Sequence, residues 1–285
     1  MMAAHFRHAV LIVTVFSISA LASSADEAKT ASHNVKMWIA SASEGTDALK
    51  LDLPRRAKVP KIEGALKLDG KLDEPFWKKA AVLSPFYLND ASAPASESTE
   101  VRIAYDDAAL YLGWICRDVD IQATFLKRDS KLWEEEVAEF FITPKDLTRY
   151  YELQWNPLGT IFDAIINNTL DENGLSKGIQ GEWDFTAEGM EASVWVDGTV
   201  QDSSDQDRVW QVEVRIPFSA VGGSAPEAGD VWRANFYRYC RTTGQDVEYC
   251  SWSPTRLVSF HEPSRFGYLE FQPYSGISNY DQTEK

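Results

Sequence analysis

Beyond Leu49 the chain is a succession of short runs in which apolar and polar residues alternate. Each run closes on a turn signal, and no stretch carries the spacing of a long amphipathic helix. Alternation with a period of two marks strands that bury one face. Such runs lie at 100–105, 109–117, 137–143, 149–155, 160–166, 190–197, 208–217, 231–241, 247–253 and 266–271. Asp106-Asp107 turns the first pair into a hairpin, and Asn156-Pro157-Leu158-Gly159 turns another. Many short strands at this spacing predict an all-β fold, an antiparallel β-sandwich of the jelly-roll kind, rather than βαβ units. Residues 66–69 read as one more strand, turned by Gly70. Asp73-Glu74-Pro75 then predicts one short N-terminal helix over Phe76–Ala81, with Asp73 as N-cap and proline in the first turn. The sandwich is expected over 49–272, followed by a C-terminal tail at 273–285.

The first residues carry a different pattern. Arg7 and His8 precede an apolar run from Ala9 to Phe16 that continues through Leu21, and Ala20-Leu21-Ala22 sets small residues at the −3 and −1 positions of a cleavage site. This predicts a secretory signal peptide over 1–22, since a membrane-spanning helix needs about 20 apolar residues. Residues 23–48, rich in Ala, Ser, Thr, Asp and Glu, read as a flexible linker. No second apolar stretch approaches spanning length. The expectation is a secreted or periplasmic protein with no membrane contact after cleavage.

Charge narrows the partners. With 28 Lys+Arg against 43 Asp+Glu, the net charge is −15. Nucleic acid is excluded as a partner, because phosphate binding needs clustered cations. Anionic membrane surfaces are excluded for the same reason. Neutral ligands and metal cations remain.

Catalytic signatures are sparse. After removal of the leader, only His33 and His261 remain as histidines, which leaves no histidine pair for zinc and no Ser-His-Asp set. No Gly-rich phosphate loop or nucleophile elbow is present. Glu134-Glu135-Glu136 with Glu139 offers two carboxylates, so a glycoside hydrolase using carboxylates near Glu136 and Glu139 is the alternative reading. Asp118 and Asp120 in one loop, and Asp202, Asp205 and Asp207 in another, are candidate calcium ligands; solvated loop acids give the same pattern. Cys240 and Cys250 flank turn signals and face each other if the hairpin folds about residue 245. They read either as a cross-strand disulfide or as two buried thiols. Cys116 reads as a core thiol.

Strand parity assigns faces. In 149–156, Tyr151, Leu153 and Trp155 point one way, while Tyr150, Glu152, Gln154 and Asn156 point the other. In 137–142, Ala138, Phe140 and Ile142 share one face, and Val137, Glu139 and Phe141 share the opposite one. Glu139 amid apolar neighbours is either a satisfied core carboxylate or an acceptor turned to a ligand. Trp77, Trp114 and Trp155 are expected in the core.

Five stretches, in order, resemble the family 9 carbohydrate-binding modules and their relatives in the wider DOMON-like β-sandwich group. They are LKLDGKLDEPFWKKA at 66–80, VRIAYDDAALYLGWICRDVD at 101–120, LWEEEVAEFFITP at 132–144, YYELQWNPLGTIFD at 150–163, and YCSWSPTRLVSFHEPSRFGYLEF at 249–271. The resemblance implies that two tryptophans grip a terminal sugar. By motif position these are Trp133 and Trp252, and the acidic contact six residues after the first falls on Glu139. The strand that supplies an Arg and an Asn in sugar-binding members matches Gln154 and Asn156, with Gln in place of the Arg. It also implies structural calcium. The segments 167–188 and 198–208 are insertions placed to narrow or cover the slot. The expected function is therefore a secreted, non-catalytic module that binds mono- or oligosaccharides or polysaccharide chain ends and serves polysaccharide breakdown. A structural or partner-binding sandwich without its slot is a further alternative.

Overall fold

Fourteen strands form the framework of the described residues. They are β1 (Arg56–Lys61), β2 (Ala81–Leu83), β3 (Tyr87–Leu88), β4 (Thr99–Tyr105), β5 (Ala109–Arg117), β6 (Val137–Thr143) and β7 (Arg149–Trp155). They continue as β8 (Ile161–Leu170), β9 (Ser176–Glu182), β10 (Glu191–Asp197), β11 (Val209–Pro217), β12 (Val231–Cys240), β13 (Glu248–Ser251) and β14 (Gly267–Tyr274). The computed structural model describes residues 52–64 and 66–274. These belong to a unit that begins at Leu51. The leader and linker expected over 1–22 and 23–48, and the tail beyond Tyr274, lie outside the described residues.

The strands form one continuous path, β10-β11-β5-β4-β1-β14-β12-β6-β7-β8-β9, with β2 added on β4 and β13 on β12. The path doubles back on itself at β1. Val101, Ile103, Leu112, Trp114, Val212 and Val214 from one half share a single buried cluster with Phe140, Leu153, Trp155, Phe236 and Leu269 from the other. Trp114 and Phe236 meet across the interior at 5.8 Å between ring centres. Side chains from the inner faces of two packed sheets thus make the core of a β-sandwich.

Pairing is antiparallel at every ladder but those of β1, which runs parallel to β14 and touches β4 at Lys61. The sheet is therefore mixed, a departure from the purely antiparallel expectation. The expected helix at 76–81 is also absent. Trp77, Lys79 and Ala80 donate to the carbonyls of Glu74, Phe76 and Trp77, which is turn geometry, and Ala81 already opens β2. Residues 66–69 form no strand. What fixes this segment is a side chain. Glu213, fully buried on β11, accepts hydrogen bonds from the backbone N–H of Asp69 and Gly70 and from Trp77 Nε1 at 2.7–2.9 Å. Gly70 has φ +86°, and a Cβ there would lie 2.4 Å from the backbone nitrogen of Trp195, so only glycine allows the approach. Trp77, Trp114 and Trp155 are all buried.

Candidate functional site

The second half of the sandwich carries two buried clusters, one on each face. Its inner face joins the main core. Its outer face holds Val137, Phe141, Tyr150, Phe162, Ala164, Ile166 and Tyr237, capped by Leu132, Phe260 and Phe266, with Trp133 and Tyr239 packed against them. Register explains which polar groups fall among them. Tyr237 pairs with Glu139, Glu139 with Gln154, and Gln154 with Phe162. These four residues run straight across β12, β6, β7 and β8, and period-two alternation sets Glu152 beside Gln154 on the same face.

This transverse row is buried but not satisfied. Glu139, Glu152 and Gln154 are all within 4% of full burial. Gln154 Nε2 donates to Glu152 Oε1 at 2.6 Å. Glu139 Oε1, Glu152 Oε2 and Gln154 Oε1 have no hydrogen-bond partner. Buried polar atoms without partners are uncommon and costly, at about 1–3 kcal/mol each. Three such atoms lie close together on this one face.

The electrostatics of the pair suit neutral ligands. Burial first, and the nearby Glu152 second, raise the Glu139 carboxyl well above its usual range. Burial pushes Glu152 up to about 8, against a smaller opposing effect of the Gln154 amide. The pair therefore holds its protons to higher pH than free carboxyls do, and a protonated carboxyl donates as well as accepts. The edge of the site is aromatic. Trp133, half-buried, meets Phe162 edge-on at 5.1 Å. Phe260 stacks on Tyr237 at 4.1 Å, holding the 256–266 segment over the β12 side. A separate groove of about 550 Å³, lined by Leu88, Asn89, Glu248, Tyr249 and Val258, lies toward β13 and includes none of the unpaired atoms.

The family model of carbohydrate-binding family 9 matches residues 79–271, more than half of the chain. The chain belongs to this family. A search of the curated proteins finds no match. Among solved structures, a Bacteroides uniformis protein described as a candidate carbohydrate-binding protein is 20% identical. It aligns over 77% of this chain and 100% of its own, with a TM-score of 0.59. A family 9 module from Caldicellulosiruptor kristjanssonii, solved with cellotriose, is 13% identical over 81% of this chain and 100% of its own, with a TM-score of 0.50. These likenesses concern the fold.

Against this family 9 frame, the structure brings together Trp133, Glu139 and Gln154 and separates the other expected ligand contacts from them. Trp252 is 2% exposed in the main core, edge-on to Phe236 at 5.7 Å, so it cannot wall a slot with Trp133. The reason is parity: Ser251 pairs with Tyr237 on the outer face, and its successor Trp252 turns inward, its ring occupying the space over Gly267. Asn156 is fully buried and fully used. Its Oδ1 accepts from the N–H of Leu158 and Thr160, and its Nδ2 donates to the Phe125 carbonyl. It shapes the β7–β8 turn and does not reach a sugar rim. Asn156→Ala is expected to lower unfolding stability by about 1–3 kcal/mol, measured by urea titration, because two N–H groups lose their acceptor and the Phe125 carbonyl keeps only the Thr160 hydroxyl.

Pairing places the remaining expected residues. Glu136 stands on the opposite face from Glu139, buried, accepting from the Arg241 N–H and lying 4.0 Å from Arg238. Glu136 and Glu139 therefore do not face one bound sugar together. Asp118 is buried in an ion pair with Arg238 at 2.6 Å and also accepts from the Asp120 N–H. Asp120 accepts from Gln122 Nε2 and the Thr243 N–H. Each oxygen of the two carboxylates thus already accepts from a protein donor, and the two residues alone fall short of the six to eight oxygen ligands that calcium takes. No group of metal-ligating side chains is assembled among the described residues. Cys240 pairs with Glu248, and Cys250 with Arg238, because the hairpin centres one residue earlier than residue 245. Both cysteines, and Cys116, are free buried thiols and not a disulfide.

Glu152 is the site residue that sequence reasoning left unassigned. Parity had set it on the polar face beside Gln154, and only its register, opposite Phe141 and so diagonal to Glu139, shows that the two carboxyls are neighbours.

Proposed function

We propose that this family 9 member is an exported, non-catalytic module that binds the end of an oligo- or polysaccharide chain on the outer face of β6–β8. The observation that carries the reading is the trio of unpaired buried atoms on Glu139, Glu152 and Gln154 beside Trp133. A pyranose supplies what they lack. Its hydroxyl rim pairs with carboxyl and amide groups, and its apolar C–H face lies on an aromatic ring. The complex of a related module with cellotriose supports a β-glucan or similar chain as the ligand class. About 50–100 Å² of stacked apolar surface and three hydrogen bonds, set against association costs, give a Kd on the order of 10 μM to 1 mM. A role in polysaccharide breakdown follows if the module carries a partner enzyme to chain ends.

The test is calorimetric titration with gluco- and xylo-oligosaccharides, each also in reduced, alditol-ended form. Glu139→Gln is expected to weaken binding roughly 5- to 150-fold, since it exchanges a carboxyl for an amide at an unpaired position. Preserved near-ultraviolet circular dichroism will show that the variant is folded. Loss of binding on end reduction supports chain-end recognition. Failure of every sugar to bind the intact protein overturns the reading. Reducing-end release that disappears with Glu139→Gln replaces it with a glycosidase. For export, the mature N-terminus is expected at Ser23, read by mass spectrometry of protein recovered outside the cytoplasm.

A further inference from the structure

Trp183 follows β9 at the end of a strand pair that the sequence reading treats as an insertion. It is 53% exposed, unlike most tryptophans of the chain. Its ring is nonetheless seated. A Cβ at Gly181 would lie 2.2 Å from Trp183 Cζ2, so the indole rests on the bare backbone of β9. Gly181 pairs with Ile166, an outer-face residue, which sets the ring on the same face as the unpaired acceptors. Trp183 lies 6.1 Å from Phe162, and Phe162 lies 5.1 Å from Trp133. Phe162 in turn is the cross-strand neighbour of Gln154. The polar row from Glu139 through Gln154 thus continues into three aromatic rings that end at solvent.

A glycine beneath a large exposed aromatic is costly in a strand, because it gives up side-chain packing and chain stiffness. Here it holds open the one position that lets the indole lie against the sheet edge. An exposed ring of this size gains from covering its apolar surface, and the rim hydroxyls of a sugar beside it remain wet.

We propose that Trp183 is the platform for a second sugar ring, so that the site takes a β-linked oligosaccharide of at least two residues, with the first ring at Glu139–Gln154 and the second on Trp183. The inference rests on the sugar-binding reading above. It replaces the buried Trp252 as the second aromatic contact and makes Trp183 the residue that sets preference for chain length.

The experiment compares glucose, cellobiose and cellotriose, with xylose and xylobiose as a second series, by calorimetric titration of the full chain. Trp183→Ala is expected to weaken disaccharide and trisaccharide binding roughly 10-fold while leaving the monosaccharide unchanged, through loss of about 50 Å² of stacked surface. Gly181→Ala should reproduce this length-selective loss with the indole still present, because the new methyl displaces the ring. Trp183→Phe should restore part of the affinity. Acrylamide quenching of tryptophan fluorescence should fall on disaccharide binding in the native chain and not in Trp183→Ala. Equal losses for mono- and disaccharide, or no loss for either, overturn the role of Trp183 while leaving sugar binding in place. If neither series binds the native protein, the underlying reading fails and this one fails with it.

Discussion

Arg238→Ala is expected to lower unfolding stability by about 3–5 kcal/mol, because it strips a buried carboxylate of its counter-ion. Arg238 is wholly buried on the inner face of β12. Its guanidinium donates to Asp118 Oδ2 at 2.6 Å, to the Arg117 carbonyl at 2.7 Å and to Thr99 Oγ1 at 3.2 Å. It also lies 5.8 Å from the centre of the Trp210 ring. Glu136 stands next to the pair. Burial, then the proximity of Asp118, raise its carboxyl well above the usual range. Arg238→Lys should lose less than Arg238→Ala, keeping the charge but not the planar fork that reaches three acceptors. Urea titration followed by tryptophan fluorescence measures both variants. A loss below about 1 kcal/mol for Arg238→Ala would show that the cluster is solvated in solution.

The second large effect is a pH dependence of stability. Glu152 has a folded-state pKa of about 8 against an ordinary 4.5, and Glu139 is raised in the same direction. The folded state therefore binds protons that the unfolded chain has released. The stability these protons carry is complete below about pH 4.5 and is lost as pH rises through about 8, at about 1.4 kcal/mol per unit of separation. Glu152→Gln removes the titrating group and keeps an oxygen to accept from Gln154. Its midpoint temperature should exceed that of the native chain at pH 8.5, with the gap closing at pH 5. A gap of constant size across this range would show that Glu152 does not titrate in the window. A ligand whose hydroxyls donate to the pair favours its ionised form, so sugar binding should release protons near pH 7, detectable as a buffer-dependent heat.

Much of this fold was legible because its strands are half-buried. β5, β6, β7, β10, β11 and β12 each alternate or run apolar between clear turns, and their expected limits agree with those observed to within about two residues. β9 was not legible. Ser176–Glu182 is largely exposed and contains two glycines, so no apolar period marks it. β1 buries only Val59 fully, β2 and β3 are three and two residues long, and the Trp77 segment is shaped by Glu213, far away in sequence. The site divides in the same way. Glu139 and Gln154 follow from parity within one strand each. The loss of Trp252 to the core and the gain of Glu152 depend on register between strands, which local pattern does not encode. The cysteine hairpin makes the same point: a centre displaced by one residue moves each cysteine's partner by two.

The parallel strand β1 bears on how the molecule is completed during synthesis. Val59, near the start of the folded unit, sits opposite Phe271, near its end. The first strand to be made is thus held waiting for the last, and it is also the bridge by which the two halves of the sheet touch. Closing so long a loop is entropically late and kinetically slow. A nascent chain that ends before Gly267 lacks the strand that seals the sandwich. The sandwich therefore remains open until nearly all of this unit has been made.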